Sequence, residues 1–112
     1  MNVLDFNKIE KASFDVTLND ENNTTLKIYT PTKNTMDYLN NLQNKFSESD
    51  EADLDENFTD ELYTACSKVM SRNKDNIKIS KEFLENIFDV EDLTIFFTAF
   101  MEFIEKVING KN

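Results

Sequence analysis

The sequence predicts a single small α+β domain, mainly helical, in which an N-terminal β-hairpin packs against about four helices. Three observations carry this reading. Two short segments near the N-terminus alternate apolar and polar residues, and the remainder repeats its apolar residues every three to four positions. A chain of 112 residues has room for one core and not for two. With 39% hydrophobic residues, ten of them Phe, it has the material to build that core rather than remain an acidic coil.

The first ten residues carry Val3, Leu4, Phe6 and Ile9, a spacing that suits neither a strand nor a helix for long, so this stretch is expected to lie against the domain as an irregular arm or a short turn of helix. From Ser13 to Leu18, Phe14, Val16 and Leu18 fall on one face and Asp15 and Thr17 on the other. The pattern returns with Leu26 and Ile28, and the Asn- and Asp-rich residues between predict a hairpin with a loop longer than two residues. A two-stranded ribbon is barely stable alone, so its apolar face must be covered. Pro31, the sole proline, ends the second strand. Thr32 then caps a helix running to about Phe46, with a narrow stripe of Met36, Leu39, Leu42, Gln43 and Phe46. Between Glu48 and Glu61 lie eight acidic residues and no basic one, which predicts an acidic flexible loop at about 48–57 within the domain.

A second helix is expected from about Thr59 to Arg72, with Leu62, Cys66, Val69 and Met70 inward. The sequence Arg72-Asn-Lys-Asp-Asn76 ends it. Residues 77–80 could add a strand, but Ser80 reads better as the cap of a third, two-turn helix burying Phe83, Leu84 and Ile87. Asp89 and Asp92 stand three apart before an apolar run, so Asp89 can cap a fourth helix with Asp92 in its first turn. On that helix Leu93, Phe96, Phe97, Phe100, Ile104, Val107 and Ile108 cover one face, and Ile95, Met101 and Phe103 widen it beyond a coiled-coil seam. Such an arc implies either a central helix or one that also meets another chain. The stripes on the other helices are narrow enough to leave Ile95 and Phe103 uncovered. The candidate protein-binding residues are therefore Ile95, Phe96, Phe100, Met101, Phe103, Ile104 and Val107, and the same face could form a homo-oligomer.

Composition excludes much chemistry. No His, one Cys and one Gly remove His-based catalytic triads, His/Cys zinc sites, disulfide scaffolds and glycine-rich phosphate loops. A calcium loop starting at Asp53 would place Phe58 where glycine is needed and Thr64 where a bidentate Glu is needed. Glu102 and Glu105 sit beside Lys106 and Asn109 on a polar helix side, which reads as solubilising surface rather than a glycosidase pair. Ser71 and Lys74 have the spacing of a serine–lysine pair but fall at a helix end, and Cys66 has no His to activate it. The reading is therefore of a non-enzyme with no metal and no cofactor. The net charge of -10 repels phosphate backbones and anionic lipid, which argues against nucleic acid and membrane as partners. Removing the acidic window leaves 14 acidic against 12 basic residues, so the excess is mostly local. No run of 18 apolar residues and no signal-peptide pattern is present, so a cytoplasmic location is expected.

The order of elements, Pro31-Thr32-Lys33 at the helix entry, the acidic middle ahead of residues 61–73, and the Asp-Leu-x-x-Phe-Phe-x-x-Phe-Met-Glu-Phe-Ile run from Asp92 to Ile104 give the chain a likeness to a known family. Over about residues 10–108 it resembles the small tail assembly chaperones of long-tailed bacteriophages infecting low-GC Gram-positive bacteria. One departure is the hairpin turn, where Asp20-Glu21-Asn22-Asn23 stands in place of the glycine-containing turn common in the family. The resemblance implies a non-enzymatic phage or prophage protein of the host cytoplasm that binds the tape measure protein and helps recruit tail tube subunits. Proteins of that family are often made in two lengths by ribosomal frameshifting. The alternative that the charge allows is an acidic inhibitor that mimics nucleic acid in a basic enzyme groove.

Overall fold

The two alternating segments pair as antiparallel strands, β1 (Phe14–Thr17) and β2 (Thr25–Ile28), in the register Phe14 to Ile28 through Thr17 to Thr25. The computed structural model describes residues 3–48 and 56–110, and the strands are followed there by helices α1 (Lys33–Glu48), α2 (Glu56–Ser71), α3 (Lys81–Ile87) and α4 (Val90–Ile108). The fold is the mainly helical α+β domain read from the sequence. Most of the acidic loop expected at about 48–57, and the side chain of Phe46, lie outside the described residues.

The hairpin turn works without glycine. The Asp20 carboxylate accepts from the backbone N–H of Thr24 at 2.8 Å and from its hydroxyl at 2.6 Å, and the Asn23 N–H donates to the Asp20 carbonyl at 3.1 Å. Asn23 takes the left-handed conformation at φ 49°, where Asn is the residue best tolerated after glycine. The Thr24 bonds hold the Asp20 carboxyl below the usual carboxylate range.

The same device recurs where α2 ends. The Asn76 N–H donates to the Asn73 carbonyl at 3.2 Å, and Asn76 has φ 57°. This turn sets residues 72–74 along the outer edge of β2. There the Tyr29 N–H donates to the Arg72 carbonyl and the Lys74 N–H to the Lys27 carbonyl, both at 3.0 Å. Residues 77–80 form no strand. Instead the Ile79 backbone is tied to α2 by three bonds: its N–H donates to the Ser71 hydroxyl at 2.9 Å, and its carbonyl accepts from Ser67 at 2.7 Å and Ser71 at 3.0 Å.

Both short-range caps expected at the later helices form. The Ser80 hydroxyl accepts from the Phe83 N–H at 3.1 Å, and Asp89 and Asp92 make a reciprocal capping box at 2.8 and 3.1 Å. The start of α2, by contrast, lies three residues before the expected Thr59. Of the residues expected to bury on α3, Leu84 is fully buried, while Phe83 and Ile87 are half-buried against the core.

The hub of the domain is α2, which packs against α1, α3, α4 and β2. Its buried face is wide: Phe58, Leu62, Tyr63, Ala65, Cys66, Val69 and Met70 are all inside. The expectation of a narrow stripe on this helix is thus corrected, because Ala65 and Tyr63 extend the contact and the Tyr63 hydroxyl donates to the Phe88 carbonyl at 2.6 Å. The hairpin docks on α4 through Phe14, whose ring lies 6.1, 5.9 and 5.4 Å from those of Phe96, Phe100 and Phe103. The N-terminal arm does not lie against the domain as expected. Val3, Leu4 and Phe6 are 77%, 72% and 69% exposed, and the hydrogen bonds found within residues 3–9 are local ones from Asn7 and Lys8 to Asp5.

Candidate partner-binding face on the C-terminal helix

Helix α4 is long enough for five turns, and a capping box of Asp89 and Asp92 fixes where it starts. Leu93, Phe96, Phe97, Phe100, Met101 and Ile104 are buried against the hairpin and the other helices. Four of the seven residues singled out from the sequence, Phe96, Phe100, Met101 and Ile104, are therefore occupied inside this domain. The other three lie elsewhere. Ile95 is 61% exposed, Val107 is 39% exposed, and Phe103 is half-buried beside Phe14 and Phe100.

Those three share one geometry. Ile95, Ala99, Phe103 and Val107 are spaced by four, so they form one ridge along the helix on the border of the buried face. Ile108, 70% exposed, extends the apolar surface at the C-terminal end. The width of the apolar arc on α4 thus has two sources, a core face and a ridge left partly open.

Shallow grooves flank the helix on both sides. Toward the hairpin, Phe14 to Thr17, Asn19, Phe88, Asp92, Ile95, Phe96 and Ala99 enclose about 330 Å³. Toward α1, a space of about 370 Å³ is bounded by Gln43, Thr94, Phe97, Thr98, Met101, Glu102 and Glu105. Both glutamates are exposed at its rim, and no buried carboxylate faces them among its lining residues. A third space of about 410 Å³ lies at the end of α2 and is lined in part by Lys11, Tyr29, Lys68 and Arg72. The Arg72 Nε donates to the Thr30 carbonyl at 2.9 Å, and the Lys11 ammonium lies 5.8 Å from the Tyr29 ring centre.

The residues weighed for chemistry have structural employment. Both the donor and the acceptor capacity of the Ser71 hydroxyl are taken by Ile79. Cys66 is fully buried, and burial pushes its thiol up to about 12, where almost no thiolate exists at neutral pH. Among the described residues no group of three or more His, Cys, Asp or Glu side chains is placed to hold a metal ion. No described helix is long and apolar enough to cross a membrane.

One residue with a large structural role was not singled out from the sequence. Asn73 is buried, and its amide donates to the Met70 and Ile77 carbonyls at 2.7 and 2.8 Å while its oxygen accepts from the Ile77 N–H at 2.9 Å. An Asn after a helix end signals a turn, and nothing local marks it as buried. No protein-family model matches the chain, and no match to it is found among curated proteins or solved structures.

Proposed function

We propose that the chain is a non-enzymatic phage or prophage tail assembly chaperone, which covers apolar helical surface on the tape measure protein and helps bring tail tube subunits to it. The observation that carries the reading is the ridge of Ile95, Ala99, Phe103 and Val107 on a stably capped helix. Rows spaced by four are what one helix offers to the grooves of another, so the partner surface that fits is itself helical and apolar. The acidic surface keeps such a protein dispersed while the ridge is free. The family likeness of residues 92–104 supplies the tape measure protein as the client.

The test is co-expression with a phage tape measure protein, followed by calorimetry at two salt concentrations. Burial of the ridge predicts a negative heat-capacity change and an affinity that survives moderate salt. Val107→Asp, at a half-exposed position, should weaken the complex at least tenfold while leaving the circular dichroism unchanged. No complex at micromolar concentrations would sink the proposal. A complex with a DNA-binding enzyme that weakens by orders of magnitude over the same salt range would move the assignment to an inhibitor mimicking nucleic acid.

A further inference from the structure

Two parts of this molecule are incomplete in complementary ways. The outer edge of β2 is covered by residues 72–74, but among the described residues no strand lies on the outer side of β1. Backbone direction along β1 follows from the ladder. Leu18 donates to the Thr24 carbonyl at 2.8 Å, so pairs alternate and Val16 faces Leu26 with its N–H and C=O turned toward β2. The groups of Asp15 and Thr17 therefore point away from β2. The opposite edge agrees with this phase, because Lys27, the partner of Asp15, turns its carbonyl outward to Lys74. The groove beside this edge is lined by four successive residues, Phe14 to Thr17, so it runs along the strand, and its far wall is Phe88, Ile95 and Ala99. A site with free ladder groups on one side and apolar side chains on the other fits an extended segment whose alternate residues are apolar.

The chain carries such a segment. In residues 3–9, Leu4 and Phe6 flank Asp5 with period two, and both are largely exposed. Residues 3–12 hold two acidic and two basic side chains, so the arm is neutral in a chain of net charge -10 and is not driven off by Asp15 and Asp92 at the groove. Lys11 over the Tyr29 ring holds the root of the arm on the β2 side of the hairpin, away from its own groove. Among the described residues, the hydrogen bonds at the turn of Asp5 to Lys8 are local ones from Asn7 and Lys8 to Asp5, so opening the turn costs little. From these observations we infer that the N-terminal arm of a second copy adds as a strand to the outer edge of β1, seating Leu4 and Phe6 against Ile95, Ala99 and Phe88. Two arms and two grooves related by a two-fold axis satisfy each other in a closed dimer.

The test measures mass by light scattering from about 5 to 500 μM for the parent, Phe6→Asp and Thr17→Pro. The proline is a selective probe: the Thr17 N–H points outward, so the hairpin does not use it and only an added strand would. The parent is expected to move from one to two chain masses within this range, and each variant to shift that midpoint at least tenfold upward with an unchanged far-ultraviolet spectrum. A parent that stays monomeric throughout, or a dimer that neither substitution moves, overturns the inference. Should Thr17→Pro perturb the spectrum, Phe6→Asp alone decides, because Phe6 lies outside the folded core. The arm seats on Ile95 and Ala99 of the same ridge, but the assay contains this chain only, so its outcome is separate from that of tape measure binding.

Discussion

Replacing Asn73 by Ala removes three hydrogen bonds at once. The methyl that remains leaves the Ile77 N–H and the Met70 and Ile77 carbonyls without their partner. A buried hydrogen bond contributes about 1 kcal/mol net, and each stranded polar group costs about 1–3 kcal/mol where water cannot reach it. Ile77 is half-buried, so solvent relieves part of the loss there, while the Met70 carbonyl is served by a side chain only 4% exposed. The expected destabilisation is about 2–4 kcal/mol, a large share of the ~5–15 kcal/mol that holds a domain of this size. Urea unfolding measures it. Because the turn at Asn73 also places residues 72–74 on β2, amide exchange at Tyr29 and Lys74 should accelerate with the loss. Asn73→Asp should be at least as damaging at neutral pH, since a carboxylate oxygen then faces two carbonyls. A loss below about 0.5 kcal/mol for Asn73→Ala, with Tyr29 exchange unchanged, would refute the reasoning that this amide anchors the turn.

Three further outcomes follow from local chemistry. Asp89→Ala removes the α4 cap and should cost about 1 kcal/mol in urea unfolding, with Asp89→Asn recovering most of it; equal losses for the two would show that the cap is not the cause. The Thr24 amide resonance should titrate with the Asp20 carboxyl at a midpoint below the ordinary 3.8, because the bonds from Thr24 favour the charged form. The folded-state value is depressed, so the contribution of this carboxylate is present above pH 3.8 and is lost as pH falls through the lower midpoint; a midpoint at or above 3.8 would contradict it. Cys66, with its thiol raised to about 12, should resist a disulfide reagent at pH 8 in the native protein and react fully in denaturant, and rapid native labelling would mean that the core opens around it.

The elements were legible where a local signal was strong. Alternation marked the hairpin, Pro31 its end, and Ser80 and Asp89 the starts of α3 and α4, because capping and strand faces depend on residues a few positions apart. What escaped was tertiary. Helix α2 reads as a narrow stripe, yet it is the hub, since Ala65, Tyr63, Ser67 and Ser71 are small or polar and serve the interior only through partners such as Ile79 and Phe88. Burial of Asn73 escaped for the same reason: its partners satisfy it only after the turn has closed. On α4 the sequence marked an apolar arc correctly in width, but could not divide it into core and ridge. That division depends on partners distant in sequence such as Phe14, which arrives from a strand about eighty residues away and packs beside Phe96, Phe100 and Phe103.

The strap of residues 72–74 on β2 has a consequence for the order in which the chain is made. Strand β2 ends at Ile28, and the segment that closes its outer edge follows about 45 residues later. At ribosomal rates of ~5–20 residues per second, that interval is roughly 2–9 s. Throughout it the hairpin can gain no third line of hydrogen bonds at that edge, and a two-stranded ribbon without a completed α2 over Leu26 and Ile28 is marginal in water. Helices α1 and α2 can pair as soon as both have emerged, whereas the ribbon must wait for its third line of hydrogen bonds and then for the rings of α4. Synthesis therefore runs opposite to assembly at this end of the molecule: the part translated first is completed last.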